Sequence, residues 1–212
     1  MNVEWMLIRG TGIVAYLLLA TSTVWGLLLS TNLLGRAVKA KPLTWVHEAL
    51  AIGALLATGA HLLFLWMDEY IEFGAADLFV PGASSWNPLA VAWGISAFYA
   101  LFIVSASFYV KRWIGQAAWR TIHFLAFGSF AAAAIHGLTA GTDSGQPVVA
   151  AMYASTVTMV GLLVVLRAVR SGQHEAGRRA GRGVARSAAT TAATDDKTEP
   201  AARAAAATDR PS

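Results

Sequence analysis

Residues 41–68 read KPLTWVHEALAIGALLATGAHLLFLWMD. A proline stands near the start, an aspartate closes the stretch, and residues 49–67 carry no charge. About 18 apolar residues in helical form cross a hydrocarbon core, and a helix satisfies its own backbone there, so the stretch is predicted to be a membrane-spanning helix. Two histidines interrupt its apolar character. His47 and His61 are 14 residues apart, about 21 Å along a helix rising ~1.5 Å per residue. Fourteen steps at ~100° fall about 40° short of four turns, so both imidazoles occupy one face.

The rest of the chain follows the same pattern. Uncharged runs cover 10–35, 78–110, 121–142 and 144–166. The run 78–110 is too long for one span. Pro81, Gly82 and residues 85–88 mark a loop inside it, with Asn87 as N-cap and Pro88 at the first helical position, so the third span is expected from about 87 to 110. Pro42 and Pro147 mark the starts of the second and fifth spans in the same way. The expected fold is an all-α integral membrane protein with a five-helix transmembrane bundle. No run of period-2 alternation supports a barrel.

Composition agrees. Of 212 residues, 56% are hydrophobic and 13% charged, and the mean hydropathy is +0.53. Cysteine is absent, which excludes a disulfide-stapled module and a thiolate metal site. Nothing points to nucleic acid. Nine of the 16 Lys and Arg residues lie from Arg167 onward. From about 171 to 212 the sequence is rich in Ala, Arg and Thr and lacks large apolar residues, so a membrane domain over 1–170 and a disordered, Ala/Arg-rich cytoplasmic tail over 171–212 are expected.

Loop charge sets the expected orientation. Arg36, Lys39 and Lys41 follow the first span, Lys111, Arg112 and Arg120 the third, and Arg167, Arg170, Arg178, Arg179 and Arg182 the fifth. Asp68, Glu69, Glu72 and Asp77 occupy the second connection and Asp143 the fourth, with no basic residue in either. Cytoplasmic loops collect Lys and Arg, so the N-terminus is expected outside and the C-terminus inside, in a multi-pass protein of the cell membrane. Trp5, Trp45, Trp66, Trp86, Trp113 and Trp119 lie near span ends, as an interfacial belt does. A cleaved leader is not expected, because the first run is long, Glu4 precedes Arg9, and no Ala-x-Ala site closes it.

Apart from His174 in the tail, every histidine lies in the second or fourth span: His47 and His61, His123 and His136. These spans run in the same direction, so depth can be counted from the flanking charges. His61 lies seven residues before Asp68 and His136 seven before Asp143; His47 follows Lys41 by six and His123 follows Arg120 by three. Two levels result, each with one imidazole from each span. Azimuth is less regular, since 13 steps fall about 140° short of four turns. A change of winding at Gly128, or two ligand planes rotated relative to one another, would accommodate the difference.

Ionisable groups at membrane depth are costly and usually functional. Structural zinc takes four ligands, and each level offers two imidazoles. Haem brings four nitrogens of its own and needs an axial pair. Without cysteine, attachment would be non-covalent, b type, and imidazole on both faces favours outer-sphere electron transfer. Small residues at 53, 54, 57, 59 and 60, and at 131–134 and 137, leave room for a porphyrin. A proton or metal-ion transporter using the histidines as a relay is the alternative reading.

The pattern His47-x13-His61 with His123-x12-His136 on two like-oriented helices resembles the ferric reductase-like transmembrane domain. That superfamily includes ferric reductases, NADPH oxidases and the haem-binding membrane subunit of the bacterial methionine sulfoxide reductase system. The resemblance covers about 9–170. It implies two haem b, with His47 and His123 on the cytoplasmic-side iron and His61 and His136 on the outer iron. It further implies a membrane component of an oxidoreductase that passes electrons from a cytoplasmic donor to an outer acceptor: ferric iron, oxygen or a partner protein. The chain departs from the family in two ways: five helices are expected where six are common, and no flavin or nicotinamide domain follows them. A separate flavoprotein reductase or a quinol is therefore the expected donor. Gly10-x-Gly12-x-x-Ala15 opens a membrane helix with no strand before it, and is no dinucleotide fingerprint. Arg9 is a candidate partner for outer propionates or an anionic acceptor, and Arg36 and Arg120 for inner propionates. Phe127 and Phe130 lie between the two levels. The acidic second connection is a candidate for gathering ferric or cupric ions.

Overall fold

The computed structural model describes residues 3–31, 40–173 and 182. Arg36 and Lys39, and most of the expected tail including His174, Arg178 and Arg179, lie outside the described residues. All described elements are helices: α1 Val3–Thr31, α2 Ala40–Met67, α3 Ala75–Phe79, α4 Pro88–His123, α5 Leu125–Ala140 and α6 Pro147–Gln173. Four stretches are long and apolar enough to cross a membrane, and one of these, Pro88–Ala140, is 53 residues long. The described residues up to Val165 form one compact unit, and a second begins at Leu166.

That 53-residue stretch doubles back on itself. Asn87 Nδ2 donates to the Thr139 carbonyl, His136 Nδ1 to that of Ala90 and Ser129 Oγ to that of Ala97. The residue numbers add to 226 in every pair, which is the register of an antiparallel hairpin. Gly115, with φ 81° and ψ 162°, makes the bend. A backbone in that region is strained for any residue with a Cβ. Lys111, Arg112 and Arg120 were expected in a loop between spans; they lie on helical turns either side of this one-residue break. α1 and α2 form a second antiparallel hairpin, in which Ile8 faces His61 and Ser22 faces His47.

The proline signals hold. Pro42 lies in the first turn of α2, α6 starts at Pro147, and Pro88 is the first residue of α4 after Asn87 in the N-cap position. Asn87 makes no side-chain cap, however. Its backbone is left-handed at φ 41°, and its amide reaches across to Thr139 instead.

Side-chain polarity is arranged for lipid. Leu56 is 70% exposed and Leu162 63%, whereas Ser22, Thr23, Ser107 and Ser129 are buried. Water would favour the reverse, and hydrocarbon favours this, because helices in membranes associate through small and hydroxylated residues. Tyr16 of α1 ties the bundle centre together. It stacks on Phe130 at 6.0 Å, meets Tyr153 at 4.5 Å, and its hydroxyl shares a 2.6 Å hydrogen bond with Thr156.

The connection 68–87 is folded. Buried Asp68 accepts the Ile71 amide and Asp77 accepts that of Gly74, while Phe73, Leu78, Val91 and Ile95 form a small apolar core beneath. Two of the four carboxylates proposed to gather ions are thus holding turns.

Candidate functional site: two facing imidazole pairs

His47 and His61 project from α2, His123 ends α4, and His136 lies in α5. The structure brings them together by level. The ring centroids of His47 and His123 are 6.1 Å apart with planes at 72°; those of His61 and His136 are 6.4 Å apart with planes at 73°. Both pairs ascend together along the chain, so α2 and the 116–140 arm are parallel.

His123 and His136 can serve two levels because the helix is rewound between them. The change occurs at Phe124, not at Gly128. The Phe124 amide donates to the Thr121 carbonyl and the Phe127 amide to the Phe124 carbonyl, both i to i−3 bonds. A 3₁₀ turn advances ~120° per residue where an α-helix advances ~100°, which recovers part of the missing rotation.

Hydrogen bonds set the tautomer of three rings. Nδ1 of His61 lies 2.9 Å from the Ile8 carbonyl, that of His136 2.8 Å from Ala90 and that of His47 3.0 Å from Ser22. A carbonyl only accepts, so each Nδ1 carries the proton and leaves the Nε2 lone pair of the neutral ring available. Orienting a metal-binding imidazole through its other nitrogen is what outer-shell carbonyls do in metal sites. The Ser22 hydroxyl adds a second contact to His47 Nδ1 at 3.1 Å.

Glycine makes each of these bonds reachable. A Cβ on Gly12 would stand 3.2 Å from Cε1 of His61, one on Gly26 3.0 Å from Cε1 of His47, and one on Gly94 2.8 Å from Cε1 of His136. In every case the accepting carbonyl belongs to the residue four before the glycine. One helical turn thus presents both a gap for the ring and an acceptor for its proton.

The His123 ring stacks on Trp119 at 5.1 Å and 28°, and Lys111 Nζ lies 4.0 Å from the centre of the same indole.

The metal capacity of this arrangement follows from bond lengths. An imidazole nitrogen sits about 2.0–2.1 Å from a first-row metal and the ring centre roughly 1.1 Å behind it, so two rings holding one ion from opposite sides have centroids about 6.3 Å apart. The observed 6.1 and 6.4 Å straddle that value. Edge-to-face ring packing also falls between about 4.5 and 7 Å, and it is the three Nδ1 bonds that favour ligation. Among the described residues no cluster of three or more His, Asp or Glu is placed to hold a metal. An ion here would have two protein ligands, and the remaining donors would have to come with it.

A cavity of about 200 Å³ reaches His61 and His136 and is lined by Gly12, Tyr16, Gly94, Gly137 and Tyr153, with Arg9 and Asp143 also on its wall. Arg9 and Asp143 form an ion pair, so the Arg9 head group is engaged by a carboxylate of this chain. Phe130 is buried in the core against Tyr16, and Phe127 packs at the edge of that core. Gly137 accommodates the Tyr153 hydroxyl, which lies where its Cβ would be. Among the small residues proposed to leave room for a porphyrin, Ala54 is wholly buried in a helix contact. The seats at Gly12, Gly26 and Gly94, and the tyrosines, were missed from sequence. A signal existed, because Gly12 and Gly26 share the 14-residue spacing of His47 and His61.

Compared with family models, curated proteins and solved structures, the chain matches none.

Proposed function

We propose that this protein carries electrons across a membrane between two b-type haems, one at each imidazole pair, as the membrane component of a ferric reductase-like oxidoreductase. The observation that carries the proposal is the facing of His61 and His136 at 6.4 Å, each with its Nδ1 proton committed to a backbone carbonyl. His47 and His123 supply the second pair. Haem bound in this way supplies a one-electron couple with no open coordination position. The chain's own residues fix the imidazole planes, keep water out with the surrounding apolar helices and provide two levels about 20 Å apart along the helices.

In this reading the bundle crosses the cell membrane five times. The N-terminus and the 68–87 connection lie outside, and the Gly115 bend and C-terminus inside. The Lys111, Arg112 and Arg120 cluster beside the bend supports that orientation. A flavoprotein or quinol supplies electrons to the 47/123 level, and ferric iron, oxygen or a partner protein accepts them at the 61/136 level.

Haem measured per chain in purified protein is the test. Two haems, with a low-spin spectrum reducible by dithionite, are expected. A colourless protein that moves protons or metal ions would overturn the proposal in favour of a histidine relay.

A further inference from the structure

Tyr153 of α6 is buried, 6% exposed, and its ring packs on Tyr16 at 4.5 Å. Its hydroxyl reaches Gly137, the residue after His136, and occupies the place a Cβ there would take. Tyr153 and Gly137 line the same cavity as His61 and His136. Other polar groups on that wall are engaged. The Tyr16 hydroxyl pairs with Thr156, Thr58 donates to the Ala54 carbonyl, Ser144 to that of Gly141, and Arg9 is held by Asp143. Among the described residues the Tyr153 hydroxyl has no hydrogen-bond partner. The side-chain polar atoms that are both unpartnered and sealed from any contact are Ser105 Oγ and Trp119 Nε1, so the Tyr153 oxygen opens on the cavity. A buried hydroxyl without an acceptor is costly, and such a group in a native protein points to a water, ion or ligand that meets it.

We infer that Tyr153 is a haem-binding residue, whose hydroxyl donates to a propionate of the haem held by His61 and His136. This inference deepens the proposed function and rests on it. The rim of haem b carries methyl, vinyl and propionate groups, and of these the propionate oxygens are the strong acceptors. A carboxylate brought among apolar helices needs donors to offset its lost hydration, and a hydroxyl-to-carboxylate bond is charge-assisted and short. Arg9 was the residue expected to meet the outer propionates, but Asp143 already engages it. Tyr153 offers a neutral donor on the same cavity wall, with its ring fixed against Tyr16 and its hydroxyl admitted by the missing side chain of Gly137.

The test is haem per chain together with the resonance Raman propionate bending band, whose frequency falls when a hydrogen bond to the carboxylate is lost. His47→Ala, expected to retain the 61/136 haem, identifies the band of that level. In full-length Tyr153→Phe, which keeps the ring and removes the hydroxyl, both haems should remain and the 61/136 band should move to lower frequency. Tyr16→Phe and Arg9→Gln should leave it in place, because those groups are engaged by Thr156 and Asp143. An unshifted band in Tyr153→Phe would leave the hydroxyl to a water molecule and overturn the inference. An equal shift in Tyr16→Phe would overturn it too, by tracing the effect to packing. If Tyr153→Phe does not accumulate or hold haem, 3-fluorotyrosine in place of tyrosine in Tyr16→Phe protein decides, since Tyr153 is then the remaining tyrosine on the cavity wall. The more acidic phenol donates more strongly, so the band should rise, and an unmoved band would overturn the assignment. Wild-type protein free of haem is a separate result, which would remove the proposed function itself.

Discussion

His136 rests directly on Gly94. A Cβ on that glycine would stand 2.8 Å from both Cε1 and Nδ1 of the ring, while the same Nδ1 donates to the carbonyl of Ala90 one turn earlier. Gly94→Ala is therefore expected to push the imidazole off its acceptor, at a cost of about 1–3 kcal/mol typical of overpacking, and to reduce haem from two per chain to one. Gly128→Ala is the control. A Cβ there meets open space, so retention of both haems is expected, with stability unchanged or raised by up to ~1 kcal/mol. Equal haem loss in both variants would contradict the seat geometry.

Pairing by level predicts the outcome of histidine replacement. His61→Ala and His136→Ala should remove the same haem, and His47→Ala and His123→Ala the other, because under the proposal each haem would be held by both imidazoles of its level. Within a level the double variant should lose no more haem than either single. Additive, partial losses measured by pyridine haemochrome would mean that the levels are wrongly assigned.

The absence of native cysteine makes topology directly measurable. Tyr70, 90% exposed on the 68–87 connection, and Trp113, 69% exposed beside the Gly115 bend, are suitable single-cysteine sites. In intact cells an impermeant maleimide should label Tyr70→Cys and spare Trp113→Cys until the membrane is opened. Labelling in the opposite order would invert the proposed direction of electron flow.

The Arg9–Asp143 pair is partly exposed on both sides. Such pairs contribute about 0.2–1 kcal/mol, and water screens their charge, so Asp143→Asn should lower thermal stability by no more than about 4 °C. Adding Arg9→Gln to Asp143→Asn should cost little more, since the interaction is already gone. A loss of haem in Asp143→Asn that Arg9→Gln reverses would instead assign the unpaired Arg9 a part in cofactor binding.

Nicotinamide delivers a two-electron hydride, and a one-electron haem needs a flavin or similar adapter to receive it. In the proposed reading that adapter is a separate flavoprotein or a quinol. Purified protein is expected to be reduced by dithionite, to stay oxidised with NADPH or NADH alone, and to become reducible when a flavoprotein reductase is added. Fast reduction by NADPH without flavin would refute this.

Much of the fold is legible in the chain because hydrocarbon imposes simple rules on sequence. Uncharged runs had to be helices, Pro88 and Pro147 had to stand at helix starts, and counting from Asp68 and Asp143 placed His61 and His136 at one depth. Depth is a one-dimensional quantity, so it can be counted. The bend was harder to see. Lys111, Arg112 and Arg120 look like a loop, but helical backbone satisfies itself wherever it goes, and a single glycine with positive φ sufficed to reverse the chain.

Which atoms each imidazole touches was decided only in three dimensions. Gly12, Gly26 and Gly94 differ in no local property from Gly10, Gly59 or Gly128, all of which face open space. What separates them is the register of one helix against another. That register depends on packing along both hairpins, through contacts such as Ser129 with Ala97. The rotation that aims both His123 and His136 likewise arises at Phe124, a residue with no conformational signature of its own, because only the facing partners require the helix to tighten there. Sequence by itself determined that there are long apolar helices fit to cross a membrane and which histidines share a level; tertiary structure decided their azimuth, tautomers and seats, since those depend on neighbours distant in the chain.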